Sequence, residues 1–365
     1  MAGRKKLKPL RVGVIGCGRI SPLHLSAAAE APEAKLVACC DLDKKKAKAA
    51  ARKYRIRAFR SFRRMIRWKR LDAVHICLPH YLHTIVADYC LTRGVHVLSE
   101  KPMSIDLASA ERTVRVAELA ERQYGVIFQC RYNATSQLVK RALTSGRLGR
   151  ILSVRAVLTW NRPAEYYSES DWKGTWDKEG GGVLIDQAIH TLDLVNWLVD
   201  SEVESVSCAM ANRNHPTLAV EDCAEGFVLY KNGVRYGFYF MNNYESDAPI
   251  EIRLVCENGE VTFGYDEATI TYRDGTVETA HEGEMVSDKD HIYWGTRHAC
   301  QIRQFYRACR GEEELEISGK AALPTHRLLF SLYETARKRG IDYTAKGAPA
   351  PAPVEEGKGI KIRYY

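Results

Sequence analysis

The sequence predicts a doubly wound parallel α/β unit followed by a strand-rich second half. Three observations predict it. The 365 residues exceed what one ordinary core holds and suit two domains. Residues 10 to 125 alternate short β-branched runs with helical stretches, the signature of a parallel sheet. From Ile151 onward the texture changes to alternating strands separated by tight-turn signals.

In order, Leu10 to Ile15 reads as a first strand, and Leu23 to Ala31 as a helix ended by Pro32. Leu36 to Cys40 is a second strand, and Asp43 to Tyr54 a helix capped by its acidic start. Ala73 to Leu78 is a strand stopped by Pro79. Thr84 to Arg93 is a helix ended by Gly94, and Val95 to Ser99 the next strand. Ile105 or Asp106 opens a helix to about Tyr124, and Val126 to Gln129 closes the unit with a strand. In the second half, Ile151 to Trp160 alternates like a half-buried strand. Further strands are expected at Val203 to Met210, Ala224 to Leu229, Val234 to Met241, Ile250 to Cys256 and Ala268 to Tyr272. Asn232-Gly233, Asn258-Gly259 and Asp274-Gly275 supply the positive φ of tight hairpins. Helices are expected at about Gly182 to Val199, Thr296 to Cys309 and Gly319 to Lys338. The domain expectation is 1–130, then 131–345, with 346–365 a loose Ala/Pro/Gly-rich tail.

A hydrophobic fraction of 45% and a charged fraction of 27% place the chain among soluble globular proteins rather than disordered ones. No apolar run approaches the roughly 18 residues of a membrane span, and the basic start leads into a strand without a signal-peptide cleavage site. No membrane partner is expected. The net charge of +9 raises nucleic acid as a partner, but no nucleic-acid module accompanies the basic stretches Lys44 to Lys48 and Arg52 to Arg70, so none is expected. The 11 cysteines include no CxxC pair, and several sit in strand-like runs as small hydrophobes. This suits a reducing, cytoplasmic setting and no structural metal.

Gly16 and Gly18 in VGVIGCGRISPLH stand between a strand and a helix. There the first glycine makes the tight turn and the second lets backbone approach a pyrophosphate at the helix N-terminus. Ser21 takes the third, small position. Asp41 closes the second strand, where a carboxylate accepts from ribose hydroxyls and repels a 2′-phosphate, favouring NAD; Lys44 and Lys45 leave NADP open. A second constellation begins at Ser99-Glu100-Lys101-Pro102-Met103, where a strand end aims Lys101 at the crevice above the sheet. Taken alone, that fragment reads better as a surface turn. Gly180-Gly181-Gly182 then leads into a helix carrying Asp186 and His190, four apart and on one face. Both interrupt an apolar stretch, and a buried polar pair is costly without a purpose. A structural Asp–His hydrogen bond is the bland reading; a metal lacks a third ligand at suitable spacing.

These residues resemble the Gfo/Idh/MocA oxidoreductases, over roughly residues 10 to 340. The resemblance rests on VGVIGCGRIxxxH, LPHYLH at 78 to 83, GVHVLSEKPM at 94 to 103 and GGGVLIDQAIHTLDL at 180 to 194. It implies an α/β Rossmann domain (doubly wound parallel sheet) followed by an α+β domain with a large open mixed, mainly antiparallel sheet. It implies Lys101, Asp186 and His190 as catalytic residues, with a cis bond before Pro102. Arg19, Ile20, Leu78, Pro79, His80, His83 and Glu100 would join Gly16, Gly18, Asp41 and Lys101 around NAD. The implied chemistry is hydride transfer between a secondary hydroxyl of a sugar, sugar derivative or cyclitol and nicotinamide. His190 would take the proton, Asp186 would orient His190 or touch substrate, and Lys101 would stabilise charge on the reacting oxygen. The aromatic-rich stretch with Trp160, Arg162, Trp172 and Lys173, together with Tyr132 and His298, is the expected substrate lining, aromatic faces suiting sugar C–H faces. Two rivals share these residues: a redox-neutral NAD-dependent glycosidase or lyase, and a non-catalytic NAD-binding regulator. An open sheet implies a homodimer or homotetramer.

Overall fold

A computed structural model of the chain describes residues 8–68, 70–282 and 297–343. The expected tail at 346–365 and the expected helix start at Thr296 lie outside these residues. The first half runs β1 (Leu10–Ile15), α1 (Ser21–Glu30), β2 (Ala34–Cys40), α2 (Lys44–Tyr54), β3 (Arg57–Phe59), α3 (Phe62–Trp68), β4 (Ala73–Ile76), α4 (His83–Leu91), β5 (His96–Ser99), α5 (Leu107–Leu119) and β6 (Tyr124–Val126). The six strands pair in parallel in the order β3-β2-β1-β4-β5-β6. The strand order reverses beside β1, and a ligand crevice forms there at the carboxyl ends. The strands are buried on both faces because helices cover both. Asp43 caps α2 by accepting from Lys45 N at 2.7 Å. Asp106 caps α5 through Ser109 N at 2.7 Å.

The second half contains α6 (Ala134–Thr144), β7 (Ile151–Thr159), α7 (Ala164–Ser168), α8 (Val183–Asp186), α9 (Ile189–Val199), β8 (Val203–Asn212), β9 (Cys223–Tyr230), β10 (Arg235–Met241), β11 (Glu251–Cys256), β12 (Gly259–Phe263), β13 (Glu267–Tyr272), β14 (Val277–His281), α10 (His298–Cys309), α11 (Gly319–Arg339) and β15 (Asp342–Tyr343). Its nine-stranded sheet is ordered β14-β13-β12-β11-β7-β10-β9-β8-β15. It is mixed: β7 and β10 pair in parallel, as do β8 and β15, and the other neighbours are antiparallel. This is the predicted fold class. One sheet face packs on α9 and α11; the other shows the outward residues of the alternation, including exposed Leu152 and Phe227. The last two helices return to the first half, α10 against α1 and α11 against α5. Gln301 on α10 donates to Val126 O (2.7 Å) and accepts from Phe128 N (3.0 Å), which ties the two halves at the floor of the crevice.

Three expectations are corrected. Tyr124 belongs to β6, not to the preceding helix, and the expected strand to Gln129 gives way to a 3₁₀ turn over Gln129–Tyr132. The expected single helix from Gly182 to Val199 is broken between α8 and α9. At the break Gln187 donates to Asp186 Oδ2 (2.7 Å) and accepts from Asn242 Nδ2 (2.9 Å). Those two hydrogen bonds fasten its side chain across the helix path. Asp186 therefore ends one helix and His190 lies in the first turn of the next, so they do not share one helix as a four-residue pair.

Candidate active site

A cleft of about 640 Å³ opens at the carboxyl ends of the first sheet, between it and the second half. Its cofactor end is built by the β1–α1 turn. Gly16 has φ +95°, and a Cβ there would sit 2.0 Å from Cys77 O, so the turn tolerates no side chain. A Cβ at Gly18 would meet nothing within 4 Å; that open space lies in the cleft, in front of the α1 N-terminus. No side chain caps that terminus. Pro22 has no N–H, and the Ser21 and Leu23 N–H groups donate to Gly18 O and Ile20 O at 3.2 Å, so a ligand there meets the positive end of the helix dipole. Asp41 accepts from Cys17 N (2.8 Å) and Asp43 N (2.7 Å). Each carboxylate oxygen keeps acceptor capacity for ribose hydroxyls. Arg19, Ile20, Leu78 and Pro79 line the same end. These features fit a dinucleotide: a glycine cradle, an uncapped helix start and an anchored acid.

At the other end the segment after β5 is clamped from three sides. His83 Nδ1 lies 2.6 Å from Pro102 O, and His326 Nε2 accepts from Met103 N at 2.8 Å. The Lys101–Pro102 peptide is cis. Glu100 accepts from His24 Nε2 (2.9 Å) and from Lys101 N (3.2 Å), with His298 Nε2 at 3.5 Å. Burial pushes its carboxyl up, but the hydrogen bonds and charge of His24 and His298 outweigh it and hold it well below the ordinary range. Behind His24, His75 Nδ1 stands 3.0 Å from His24 Nδ1, and Tyr306 Oη 2.9 Å from His75 Nε2. With Glu100 a carboxylate, neutral rings satisfy the whole chain: Tyr306 donates to His75, His75 to His24, and His24 to Glu100.

Lys101 and Asp186 form the centre. Lys101 Nζ donates to Asp186 Oδ1 (2.8 Å) and to Asp186 O (2.6 Å). Tyr166 donates to Asp186 Oδ2 at 2.6 Å, Lys173 Nζ lies 3.8 Å from that oxygen, and His80 Nε2 3.9 Å from Oδ1. Burial raises the Asp186 carboxyl, yet Lys101, Lys173 and His80 together hold it well below its ordinary value. It is a carboxylate. His80 is lowered to about 3, chiefly by burial; its Nδ1–H donates to Glu179 O at 2.8 Å. His190 is likewise lowered to about 3 by burial and then by Lys101, so it is a neutral imidazole at pH 7. Its Nδ1 is buried without a hydrogen-bond partner among the described residues, and Phe128 packs edge-on against its ring at 5.9 Å. The arrangement offers one ammonium with a third donor unused by Asp186, one fixed carboxylate and one neutral base.

The cleft brings together most of the residues singled out from sequence. Trp160, Arg162, Trp172, Lys173 and His298 line it with the catalytic candidates. Arg162 donates to Asp247 Oδ1 at 2.9 Å, and Lys173 lies 3.3 Å from the centre of the Tyr166 ring. Two singled-out residues do not line it. His83 is wholly buried behind Leu78 and Pro102, with Nε2 2.8 Å from Leu78 O. Tyr132 packs on the core, its hydroxyl buried, and Gln129 from the same turn lines the cleft instead. Sequence reasoning did not select Gln187, Ser170 or Lys46, which also line it. Only Gln187 carried a usable signal, its place beside Asp186.

Residues 10–128 match the description "Oxidoreductase family, NAD-binding Rossmann fold" of GFO_IDH_MocA, and residues 136–262 match "GFO/IDH/MocA C-terminal domain". The chain belongs to the GFO/IDH/MocA oxidoreductase family, NAD-dependent dehydrogenases of sugars and sugar derivatives. It is similar to WlbA dehydrogenase from Bordetella pertussis, solved in complex with NADH and UDP-GlcNAcA, with 31% identity and a TM-score of 0.79, covering 91% of this chain and 98% of that one. It is 27% identical over 350 residues to D-glucoside 3-dehydrogenase of Escherichia coli (strain K12), covering 90% of this chain and 95% of that protein. Inositol 2-dehydrogenase of Rubrobacter xylanophilus is 32% identical over 200 residues, 54% of each chain.

Proposed function

We propose that the protein oxidises a secondary hydroxyl of a sugar or sugar derivative, with Lys101, Asp186 and His190 as its catalytic residues. One observation carries the assignment of roles: Lys101 spends two hydrogen bonds on Asp186 and keeps a third donor. NAD, bound over Gly16, Gly18 and Asp41, supplies the hydride acceptor. The third ammonium donor of Lys101 binds the reacting oxygen and stabilises the negative charge that develops there. His190 takes the hydroxyl proton, its ring being held neutral by burial before substrate binds. Asp186, fixed by Lys101, Tyr166 and Gln187, holds Lys101 in place and contacts a neighbouring hydroxyl. Trp160 and Trp172 form the walls for the sugar ring, and Arg162 and Lys173 favour a sugar that carries an acidic group. The enzyme works as a cytoplasmic homodimer or homotetramer joined through the outer face of the second sheet.

The test is incubation with NAD and a panel of sugars, sugar acids, nucleotide-linked sugars, inositols and glycosides, with NADH absorbance recorded beside product analysis. NADH formed in equal amount to one oxidised sugar supports the dehydrogenase. Cleavage of a glycoside without NADH would replace it by the redox-neutral reaction through the same residues.

A further inference from the structure

Between Lys44 and Leu71 the chain carries fourteen lysines and arginines and no aspartate or glutamate. Against the net charge of +9, these fourteen leave the rest of the chain net negative. They cover α2, the edge strand β3 and α3, and twelve of them are exposed. Elsewhere most surface arginines find a carboxylate, as in Arg150–Glu257, Arg303–Glu33 and Arg327–Glu111. None of the twelve makes an ion pair among the described residues. Like charges held this close repel one another, so the folded state bears a cost that an outside polyanion would relieve.

Lys44 to Lys48 begin α2 on the cleft side, where Lys46 lines the cleft, and a second group lies at the amino ends of the strands, opposite the cleft. Arg52, Arg55 and Arg57 flank the α2–β3 turn, and Arg67 and Arg70 flank the α3–β4 turn beside it. Arg55 holds a left-handed conformation at the end of α2, φ 53°, a position that favours glycine. Charge is kept there at a conformational cost. Trp68, half-exposed, sits within this group with the Arg57 guanidinium 3.7 Å from its ring centre.

We propose that this rim docks the enzyme on an anionic lipid surface, with Trp68 at the interface and the cleft turned away. The rim is the outside of two helices and an edge strand. A tryptophan among basic residues fits the boundary between headgroups and chains, and surface charge attracts each cation within a Debye length. Single-stranded nucleic acid fits less well. Trp68 has one face covered by Arg57 and tilts against Phe59 at 5.4 Å, so no aromatic platform stacks successive bases. A second copy of the chain also fits less well. Its densest acidic run, Glu312 to Glu316, already spends Glu312 on Arg310 and Glu313 on Arg307. Docking of this kind needs no spanning helix, and none of the described helices is long and apolar enough to span. The proposal runs against the expectation of no membrane partner drawn from the sequence, and the test below decides between them.

The test is co-sedimentation of the full chain with vesicles of phosphatidylcholine alone or mixed equally with phosphatidylglycerol. The protein is expected to pellet with the anionic vesicles at about 0.1 M salt, to be released at about 0.5 M, and to stay in solution with phosphatidylcholine. The triple variant Arg55→Glu/Arg57→Glu/Arg67→Glu should bind at least about a hundredfold more weakly, with NADH affinity and melting temperature kept. Trp68→Ala should lose about tenfold. Equal binding to both vesicle types, or a folded triple variant that binds like wild type, would overturn the proposal. So would tighter binding to single-stranded RNA or duplex DNA than to anionic vesicles at the same salt.

Discussion

Asp186, at the cleft wall, and Glu221, wholly buried, are carboxyls at the two ends of the four-residue helix α8, and their charge states diverge. Glu221 accepts from Gly182 N (2.9 Å), Leu184 N (3.1 Å) and Tyr333 Oη (2.8 Å). Burial still pushes it up to about 7. Asp186 has fewer backbone donors but faces Lys101 and Lys173, and it is held well below its ordinary value. In a buried site full cations decide whether a carboxyl is charged, while backbone dipoles only moderate the outcome. Glu221 is thus an anchor for the start of α8, and Asp186 is the charged member of a reacting site at its end.

The largest effect expected from breaking this contrast is on Asp186. Asp186→Asn removes the charge that fixes Lys101 and should lower kcat/KM by about 100- to 1000-fold, with NADH affinity kept. Steady-state kinetics beside NADH fluorescence titration checks both halves. Glu221→Gln should act on stability instead. It puts an NH₂ against a backbone N–H, leaving a buried group unsatisfied, and should cost about 1–3 kcal/mol in chemical denaturation. A Glu221→Gln variant as stable as wild type but catalytically dead would reverse the two roles.

Titration sharpens the comparison. His80 and His190 are lowered to about 3 and His326 to about 4, each chiefly by burial. Below about pH 6.5 the unfolded chain protonates these rings and the folded chain does not. Stability should therefore fall with pH, by up to about 1.4 kcal/mol per pH unit per histidine, until the folded values are reached. Glu221 works in the opposite sense. Its raised folded value means that it gains a proton near pH 7 in the folded state, before the unfolded chain does, so it adds stability as pH falls. Glu221→Gln should thus steepen the acid loss of melting temperature measured from pH 7.5 to pH 4.5. The smallest effect is expected at Tyr166. Tyr166→Phe removes one hydrogen bond to a carboxylate already held by Lys101 and Gln187 and should cost about tenfold or less in kcat/KM, without changing the pH profile.

Much of the first sheet was legible because its strands are continuous apolar runs cut off by Gly, Pro or Asp. β3 and α3 were not, because arginines at 57, 60, 63, 64 and 67 interrupt the periodicity that would mark them. β12 and β14 were missed for a related reason: each is five residues long and places Glu260, Thr262 and Glu278 among its few apolar positions. The break between α8 and α9 could not be read, since it depends on Asn242 meeting Gln187 across 55 residues. The site was legible where its residues are consecutive, as in Glu100-Lys101-Pro102. Sequence could not tell which histidine of Pro79-His80-Tyr81-Leu82-His83 faces the cleft. His80 lines it, while His83 turns inward onto Leu78 O and Pro102 O.

The most direct test of the central claim is single-turnover reduction of bound NAD by an identified sugar substrate, wild type against Lys101→Met. The wild type should reduce its bound NAD within one turnover. The variant should bind NAD and substrate with near wild-type affinity and transfer hydride at least about 100-fold more slowly. Hydride transfer by Lys101→Met at the wild-type rate would contradict the assignment of this cleft's chemistry to Lys101 and Asp186.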